Sequence, residues 1–202
     1  RFSEIDAEEA SAQGRVESWY EGMQMFKEHP IFGVGPDMYT DYNPLTAHNS
    51  FVLILAETGI IGFTLWLAFI LYCFRMMWAG SRPLGELAWE SSATPAGDGD
   101  AEASLAELDA LEAGILEGRA IALTLLLSLI GFFTSAFFLS RSYVIILYLL
   151  AALVVAQYTD MRRDDPDLPL FSFADDALLW PVIGVGAAVG LYITVKVLLV
   201  VQ

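Results

Sequence analysis

Apolar residues along the chain are grouped in four long runs that are separated by polar stretches. The runs cover residues 51–77, 120–139, 143–158 and 178–201. A helix that crosses a bilayer needs about 20 apolar residues, within a range of roughly 17–25. The second and fourth runs meet that length, the first is long enough to cross with tilt, and the short third is flanked by Tyr and Ser suited to the interface. The pattern predicts an all-α polytopic membrane bundle with four transmembrane helices.

A further helix is predicted in the polar segment before the first span, over residues 15–29. Apolar side chains recur there at helical spacing, while acidic and amide residues occupy the other faces. The apolar positions are Val16, Trp19, Tyr20, Met23 and Phe26. His29-Pro30 ends the pattern, because the residue before a proline is disfavoured in a helix. The aromatic face is expected either at the membrane surface or against the spans.

The segments between the spans predict a hairpin and a loop. Ser140-Arg141-Ser142 is so short that the second and third spans are expected to pack as antiparallel neighbours. Residues 80–118 are rich in Ala, Gly, Ser and acids and predict an acidic loop, with a flexible linker at 95–100. Leucines at near-helical spacing after this linker predict an amphipathic helix that leads into the second span. Residues 1–49 then form an external loop, and residues 50–202 form the membrane domain.

The distribution of charge predicts which side of the membrane each segment occupies. The formal net charge of the 202 residues is −15, which argues against nucleic acid as a partner. Cytoplasmic loops carry an excess of Lys and Arg. Five arginines near span ends therefore mark the cytoplasmic side: Arg75, Arg82, Arg119, Arg162 and Arg163. The N-terminal segment and the Ser140–Ser142 turn are expected outside.

The first residues suggest that more chain precedes them. The sequence opens on Arg1 in a polar segment and has no signal peptide. This pattern is expected of the C-terminal piece of a larger membrane protein, or of a trimmed chain. The single cysteine, Cys73, lies within an apolar run and leaves no intrachain disulfide to form.

His48 is the first candidate for chemistry, because it stands just before the first span. Histidine is the side chain best suited to proton transfer near neutral pH. One hypothesis is that His48 takes or guides a proton from a hydroxyl at the membrane face. The other is that it has a structural role at the helix start, where Asn49 or Ser50 supplies the N-cap.

Arg15 is the second candidate, since it begins the predicted external helix and shares a face with Trp19. A guanidinium is a fixed planar donor suited to phosphate or pyrophosphate. The alternative is a surface arginine paired with Glu17 or Glu21. Both alternatives stay open on position alone.

Two further motifs point to structure as much as to chemistry. Gly33 and Gly35 form a Gly-x-Gly pattern that lacks the third glycine of a dinucleotide site, so a sharp backbone turn is predicted. On a regular helix Glu57 would lie on the face opposite His48, roughly 13 Å deeper, so the two are not expected to form a pair. A hydrogen-bonding role for Glu57 within the bundle is favoured over a proton relay. His29 and His48, the only histidines, have no metal-ligand spacing.

Four motifs follow one another in a recognisable order. They are Gly14-Arg15 with Trp19, His29-Pro30-Ile31-Phe32-Gly33-Val34-Gly35-Pro36, Ala47-His48-Asn49-Ser50-Phe51, and Ala56-Glu57-Thr58-Gly59-Ile60-Ile61-Gly62. This order resembles the C-terminal part of the O-antigen ligase and polymerase superfamily. The resemblance covers about residues 14–75 and, more loosely, 131–141. It does not extend to the acidic loop, and the family's earlier spans are absent from this chain.

The resemblance implies a GT-C-type membrane glycosyltransferase that works without a metal or other cofactor. Such an enzyme moves a glycan from undecaprenyl pyrophosphate onto a lipid or glycan acceptor on the outer face of the bacterial inner membrane. Arg15 would then hold the pyrophosphate and His48 would activate the acceptor hydroxyl. Trp19, Gly33, Gly35 and Asn49 would contribute to substrate binding. The expected partners are the lipid-linked donor, the acceptor, membrane lipids and other polysaccharide-assembly proteins.

A second hypothesis is a transporter or a non-catalytic scaffold in a polysaccharide export complex. The superfamily includes members connected with bicarbonate transport, so the resemblance does not fix a reaction. A transporter should line a path across the bundle with polar side chains. The spans offer little beyond Glu57, Lys196 and scattered Ser and Thr. That scarcity favours an enzyme at the membrane face.

Overall fold

The structure is a computed structural model that describes the backbone of residues 2–82, 101–140 and 142–201. Side chains are described for residues 13–82, 113–140 and 142–200. Six helices follow one another without any strand in these ranges: α1 Phe2–Glu28, α2 Tyr39–Tyr42, α3 Ser50–Ser81, α4 Ala101–Phe138, α5 Ile145–Asp164 and α6 Leu179–Val201. The linker predicted at 95–100 lies outside the described residues.

Four of the described helices are long and apolar enough to cross a membrane: Ser50–Ser81, Ala113–Phe138, Ile145–Asp164 and Leu179–Val200. The predicted all-α bundle with four spans is thereby confirmed. The helix predicted ahead of the second span is continuous with that span in α4. α1 begins at Phe2, well before the predicted start near residue 15.

The chain divides into two compact units. The first comprises Arg1–Leu71, Ile130–Tyr148 and Ser172–Gln202, and the second comprises Tyr72–Leu129 and Leu149–Phe171. The first unit contains α1, the turn between α4 and α5, and the candidate site residues. The second contains the five arginines that the sequence assigns to the cytoplasm, whereas Arg15 and Lys27 fall in the first unit. The sidedness itself stays a prediction.

In the first unit, α1 packs against the bundle with the face that the sequence predicts. Val16, Trp19 and Met23 are buried, and Tyr20 and Phe26 are partly buried against the same core. α1 and α6 contact each other, and Lys27 and Lys196 place their ammonium groups 4.8 and 5.0 Å from the ring centroids of Tyr192 and Tyr20. Of the two predicted positions, the membrane surface or the spans, the aromatic face of α1 therefore lies against other helices in the described residues.

In the second unit, α4 and α5 pair as the predicted antiparallel hairpin. The Gln157 side-chain amide donates a hydrogen bond to the Gly118 carbonyl at 3.2 Å, far from the turn that joins the two helices. The chain after α5 folds back on it, because the Tyr158 hydroxyl donates to the Pro169 carbonyl at 2.6 Å. The Arg75 guanidinium lies 4.7 Å from the Phe171 ring centroid.

Candidate functional site

The first unusual feature of the site is a break inside α3. Gly59 has φ 64° and ψ −166°, a backbone conformation that is essentially restricted to glycine. The break divides α3 into a first half, residues 50–58, and a second half, residues 60–81. Carbonyls before such a break and N–H groups after it lose their helical partners. Within a bilayer these groups must be satisfied by other protein atoms.

The chain before α2 supplies the missing partners. The Val34 and Gly35 N–H groups donate to the Ala56 and Glu57 carbonyls, both at 2.9 Å. On the other side of the break, the Ile60 N–H donates to the Pro30 carbonyl at 2.9 Å. We call residues 30–35 the docking loop. The docking loop thus caps α3 on both sides of the break at Gly59.

Gly33 and Gly35 serve this docking. Their φ angles are 71° and 112°, which confirms the predicted sharp turn. A Cβ atom on Gly33 would lie 2.3 Å from the backbone carbon of Glu57, and one on Gly59 would lie 2.4 Å from the Ile31 carbonyl oxygen. Both glycines are therefore required by the close approach of two backbones. The structure places Gly33 and Gly35 on the α3 break rather than beside His48.

His48 stands immediately before α3 in a strained backbone conformation. Its φ is 48°, in the left-handed region that few non-glycine residues occupy. Asn49 is the N-cap, since its Oδ1 accepts the N–H groups of Phe51 at 2.9 Å and Val52 at 3.1 Å. His48 is half-buried, and no hydrogen bond to its imidazole is seen among the described side chains. Asn49 therefore caps the helix, and the His48 imidazole is not used for capping.

The residues around His48 are joined to the turn between α4 and α5. The Thr46 and Ser140 hydroxyls are 3.0 Å apart, and the Ser50 hydroxyl donates to the Leu139 carbonyl at 2.8 Å. The Ser142 hydroxyl in turn donates to the Ser50 carbonyl at 3.1 Å. Three hydrogen bonds therefore hold the chain on both sides of His48. Strained backbone conformations persist when their surroundings fix them in this way, and they cluster at functional sites.

Trp19 and the start of α3 meet at the end of α4. The Trp19 and Phe137 rings pack edge to face with centroids 5.8 Å apart, and Phe51 lies 6.2 Å from the same Phe137 ring. The helices approach closely, because a Cβ on Gly22 would lie 2.6 Å from Val52 Cγ1. The structure thereby brings Trp19 to the segment that follows His48.

Arg15 lies one turn before Trp19 and is exposed. Neither of the carboxylates considered as its partners, Glu17 and Glu21, forms an ion pair with it among the described side chains. A cavity of about 360 Å³ lies between α1, residues 42–45 and Leu199 of α6, and Arg15 is not among the residues that line it. Gly14, Glu17, Glu21, Tyr42 and Leu45 are among its lining residues. A cavity of this size falls in the range of small-molecule sites.

Glu57 is buried, with 2% of its surface exposed, and each carboxylate oxygen has a donor. The Tyr39 N–H donates to Oε1 at 3.2 Å, and the Tyr143 hydroxyl donates to Oε2 at 2.7 Å. The prediction of a hydrogen-bonding role within the bundle is confirmed. The break in α3 lies beyond Glu57 and does not bring it to His48, and no contact between the two is seen in the described part of the chain.

Tyr39 and Tyr143 are residues that the sequence did not single out. The Tyr39 hydroxyl donates to the Ser18 carbonyl of α1, and the side chain is 1% exposed. Burial and, as the second cause, the nearby charge of Glu21 raise the pKa of Tyr39. Its hydroxyl therefore remains a donor. The only sequence signal was the position of Tyr143 directly after the predicted hairpin turn. The pairing with Glu57 spans 86 residues and has no local pattern.

Comparison with known proteins finds a match for the N-terminal part of the chain. A sequence model described as O-antigen ligase matches residues 1–67. This range includes α1, the docking loop, His48 and the break in α3. The resemblance to the O-antigen ligase and polymerase superfamily is confirmed over these residues. Neither a curated protein nor a solved structure matches the chain.

Proposed function

We propose, on the premise that residues 1–67 carry the O-antigen ligase pattern, that the chain is part of a membrane glycosyltransferase. The enzyme would transfer or polymerise a glycan from an undecaprenyl-pyrophosphate-linked donor onto a lipid or glycan acceptor. The site would face outward from the bacterial inner membrane, with α1 and the docking loop on that side. The observation that carries the proposal is His48, half-buried at positive φ, with the chain on both sides of it hydrogen-bonded to the α4–α5 turn.

The proposed reaction needs a base and a cationic group that stabilises the negative charge of the leaving group. The acceptor hydroxyl attacks the anomeric carbon of the donor sugar, and His48 takes the hydroxyl proton as the new C–O bond forms. The bond between that carbon and the pyrophosphate oxygen breaks, and its electron pair leaves with the polyprenyl pyrophosphate. Arg15 opposes the charge that develops on this leaving group.

The position of Arg15 supports this role. Its side chain is exposed and follows Gly14, which lines the cavity, and a guanidinium offers a planar pair of donors to a phosphate. Trp19 lies one turn after Arg15 in the middle of α1, packs on Phe137, and would bound the sugar or lipid side of the site. Asn49, Gly33 and Gly35 would act by fixing the backbone, since the Asn49 side chain and the Gly35 N–H bond to α3 and Gly33 packs against it. The proposed reaction uses no metal.

The transport hypothesis is less well supported by the structure. A proton or ion path would need an available polar group inside the bundle. Glu57, the buried carboxylate of the described residues, instead has both oxygens engaged by Tyr39 and Tyr143. The geometry favours chemistry at the mouth of α3.

The test is to replace His48 by Ala in the complete protein and to measure surface polysaccharide in cells. Since general base catalysis contributes about 10²–10⁴-fold, we expect at least a hundredfold loss of product per enzyme. His29→Ala is the matched control, because His29 is exposed at the end of α1. Normal polysaccharide in the His48→Ala strain would contradict the catalytic role.

Arg15→Lys tests the second half of the site. Lysine keeps the positive charge and loses the planar fork, so one charged hydrogen bond to the pyrophosphate is lost. Such a bond contributes about 1.5 kcal/mol, which corresponds to roughly tenfold in rate. Full activity of Arg15→Lys, with equal activity of Arg15→Ala, would identify Arg15 as a surface residue without a role.

A further inference from the structure

Glu57 connects three segments that are far apart in the sequence. It lies in the first half of α3, its Oε1 accepts the N–H of Tyr39 in α2, and its Oε2 accepts the hydroxyl of Tyr143 after the α4–α5 turn. An ionisable side chain at this depth of an apolar helix is costly and requires partners. These partners come from the two segments that flank the proposed site.

The contacts continue from Glu57 to both proposed functional residues. On one side, the Tyr39 hydroxyl donates to the Ser18 carbonyl in α1, one helical turn after Arg15. On the other side, Tyr143 follows Ser142, whose hydroxyl donates to the carbonyl of Ser50, two residues after His48. A continuous set of hydrogen bonds and short chain segments therefore joins the helix of Arg15 to the turn of His48 through this carboxylate.

We propose that Glu57 is a positioning residue that fixes the helix carrying Arg15 relative to the segment carrying His48. The positioning itself follows from the contacts above, and its consequence for catalysis rests on the proposed function. Reactions between two bound substrates are sensitive to such placement, because a displacement of 1 Å can cost about a hundredfold in rate. Glu57 touches neither substrate in this account.

The surroundings of Glu57 argue against a proton carrier. The Tyr39 donor is a backbone amide, which does not exchange its proton in catalysis. Burial and the hydrogen bond to Glu57 raise the pKa of Tyr143, so this hydroxyl stays protonated near neutral pH. Both oxygens of Glu57 thus accept from groups that keep their protons.

Replacing Glu57 by Gln and by Ala distinguishes a positioning role of this side chain from a role of its charge. In Glu57→Gln, the remaining carbonyl oxygen accepts the Tyr39 N–H, and the new amide donates to the Tyr143 oxygen. Glu57→Ala removes both contacts. A positioning role therefore predicts that Gln rescues what Ala loses, whereas a role for charge or for a proton predicts that both substitutions are equally harmful.

The first measurement is hydrogen exchange of the full-length protein in lipid nanodiscs, which needs no activity. We expect residues 36–48 and 142–144 to exchange at least about tenfold faster in Glu57→Ala, with α5 unchanged and with Glu57→Gln close to wild type. Glu28→Gln, an exposed carboxylate at the end of α1, is the control. Unchanged exchange in Glu57→Ala would overturn the positioning role, as would uniform acceleration along the whole chain.

The second measurement is glycan transfer by the same variants. We expect about a hundredfold loss in Glu57→Ala, a loss of less than about tenfold in Glu57→Gln, and a loss of about tenfold in the milder Tyr143→Phe. Equal loss in Gln and Ala would overturn the proposal even if Glu57→Ala folds poorly. Local changes in exchange without transfer by the wild-type protein would retain the positioning and refute the proposed function.

Discussion

The two halves of α3 are similarly apolar, but their surroundings differ. In the first half, Val52–Glu57 is buried on every face, with exposed fractions between 0% and 7%. In the second half, Ile61, Leu65 and Phe69 are 46%, 53% and 37% exposed, while Phe63 and Leu67 are buried. The second half thus has the single buried face of an ordinary packed helix. The first half is enclosed by protein and serves as the support for the site.

This difference shows why the break at Gly59 is tolerated. An exposed break in a bilayer would leave unpaired backbone groups against lipid. Here the docking loop covers the break and pairs the carbonyls of Ala56 and Glu57. The enclosure of the first half and the interruption of the helix are therefore two aspects of one arrangement.

The largest expected effect comes from displacing the docking loop. Gly33→Ala adds a Cβ that would lie 2.3 Å from the Glu57 backbone, at a φ of 71° that alanine rarely adopts. Backbone strain and overpacking together predict a loss of at least about 3 kcal/mol in the free energy of unfolding. For a chain of this size, thermal unfolding in detergent should then shift down by roughly 6–12 °C.

Gly131→Ala is the control for this substitution. Gly131 lies in α4, and a Cβ added there meets nothing within 4 Å. We expect no loss of stability, since alanine favours a helix by about 1 kcal/mol over glycine. Equal melting temperatures for the two variants would show that the docking loop does not seat on α3.

A smaller effect is expected from truncating equivalent side chains in the two halves. Leu55→Ala removes a side chain that is 0% exposed and leaves a cavity, at an expected cost of about 2 kcal/mol. Leu65→Ala, at a position that is 53% exposed, should change stability by less than about 0.5 kcal/mol. Denaturant titration of the protein in mixed micelles measures both. Similar losses in the two variants would show that the two halves of α3 do not differ in how tightly they are packed.

The smallest of these effects concerns the start of the first half. Asn49→Ala removes the N-cap of α3 and should cost about 1 kcal/mol. Asn49→Asp keeps an acceptor for the same N–H groups and should retain most of that stability. Asn43→Ala is the control, because the Asn43 side chain donates to the Leu45 carbonyl and is not a cap of α3. The same micelle titration applies, and a cost for Asn43→Ala as large as that for Asn49→Ala would refute a specific cap.

Much of the architecture was predictable because its causes are local. Apolar length predicts the spans, the short Ser140–Ser142 segment predicts the hairpin, and Asn49 or Ser50 before an apolar run predicts a cap. The buried face of α1 follows from the spacing of Val16, Trp19 and Met23. Each of these features depends on residues within one or two helical turns.

The broken helix and the Glu57 contacts could not be predicted, because they depend on distant partners. Gly59 sits in an apolar run where glycine is common in membrane helices. The break at Gly59 is tolerated because the docking loop, more than twenty residues earlier, supplies hydrogen-bond partners for the interrupted backbone. Likewise, the partners of Glu57 come from Tyr39 and Tyr143, on either side of it in the sequence. Periodicity carries no information about such pairs.

Glycan transfer by the purified full-length protein tests whether His48 is catalytic. The assay combines a polyprenyl-pyrophosphate-linked oligosaccharide with an acceptor in the presence of a chelator. It quantifies glycosylated acceptor and released polyprenyl pyrophosphate, which transfer should yield in equal amounts. We expect turnover by wild type and His29→Ala and at least a hundredfold less by a folded His48→Ala variant. Undiminished turnover by His48→Ala, or no turnover by the wild-type protein, would contradict this expectation.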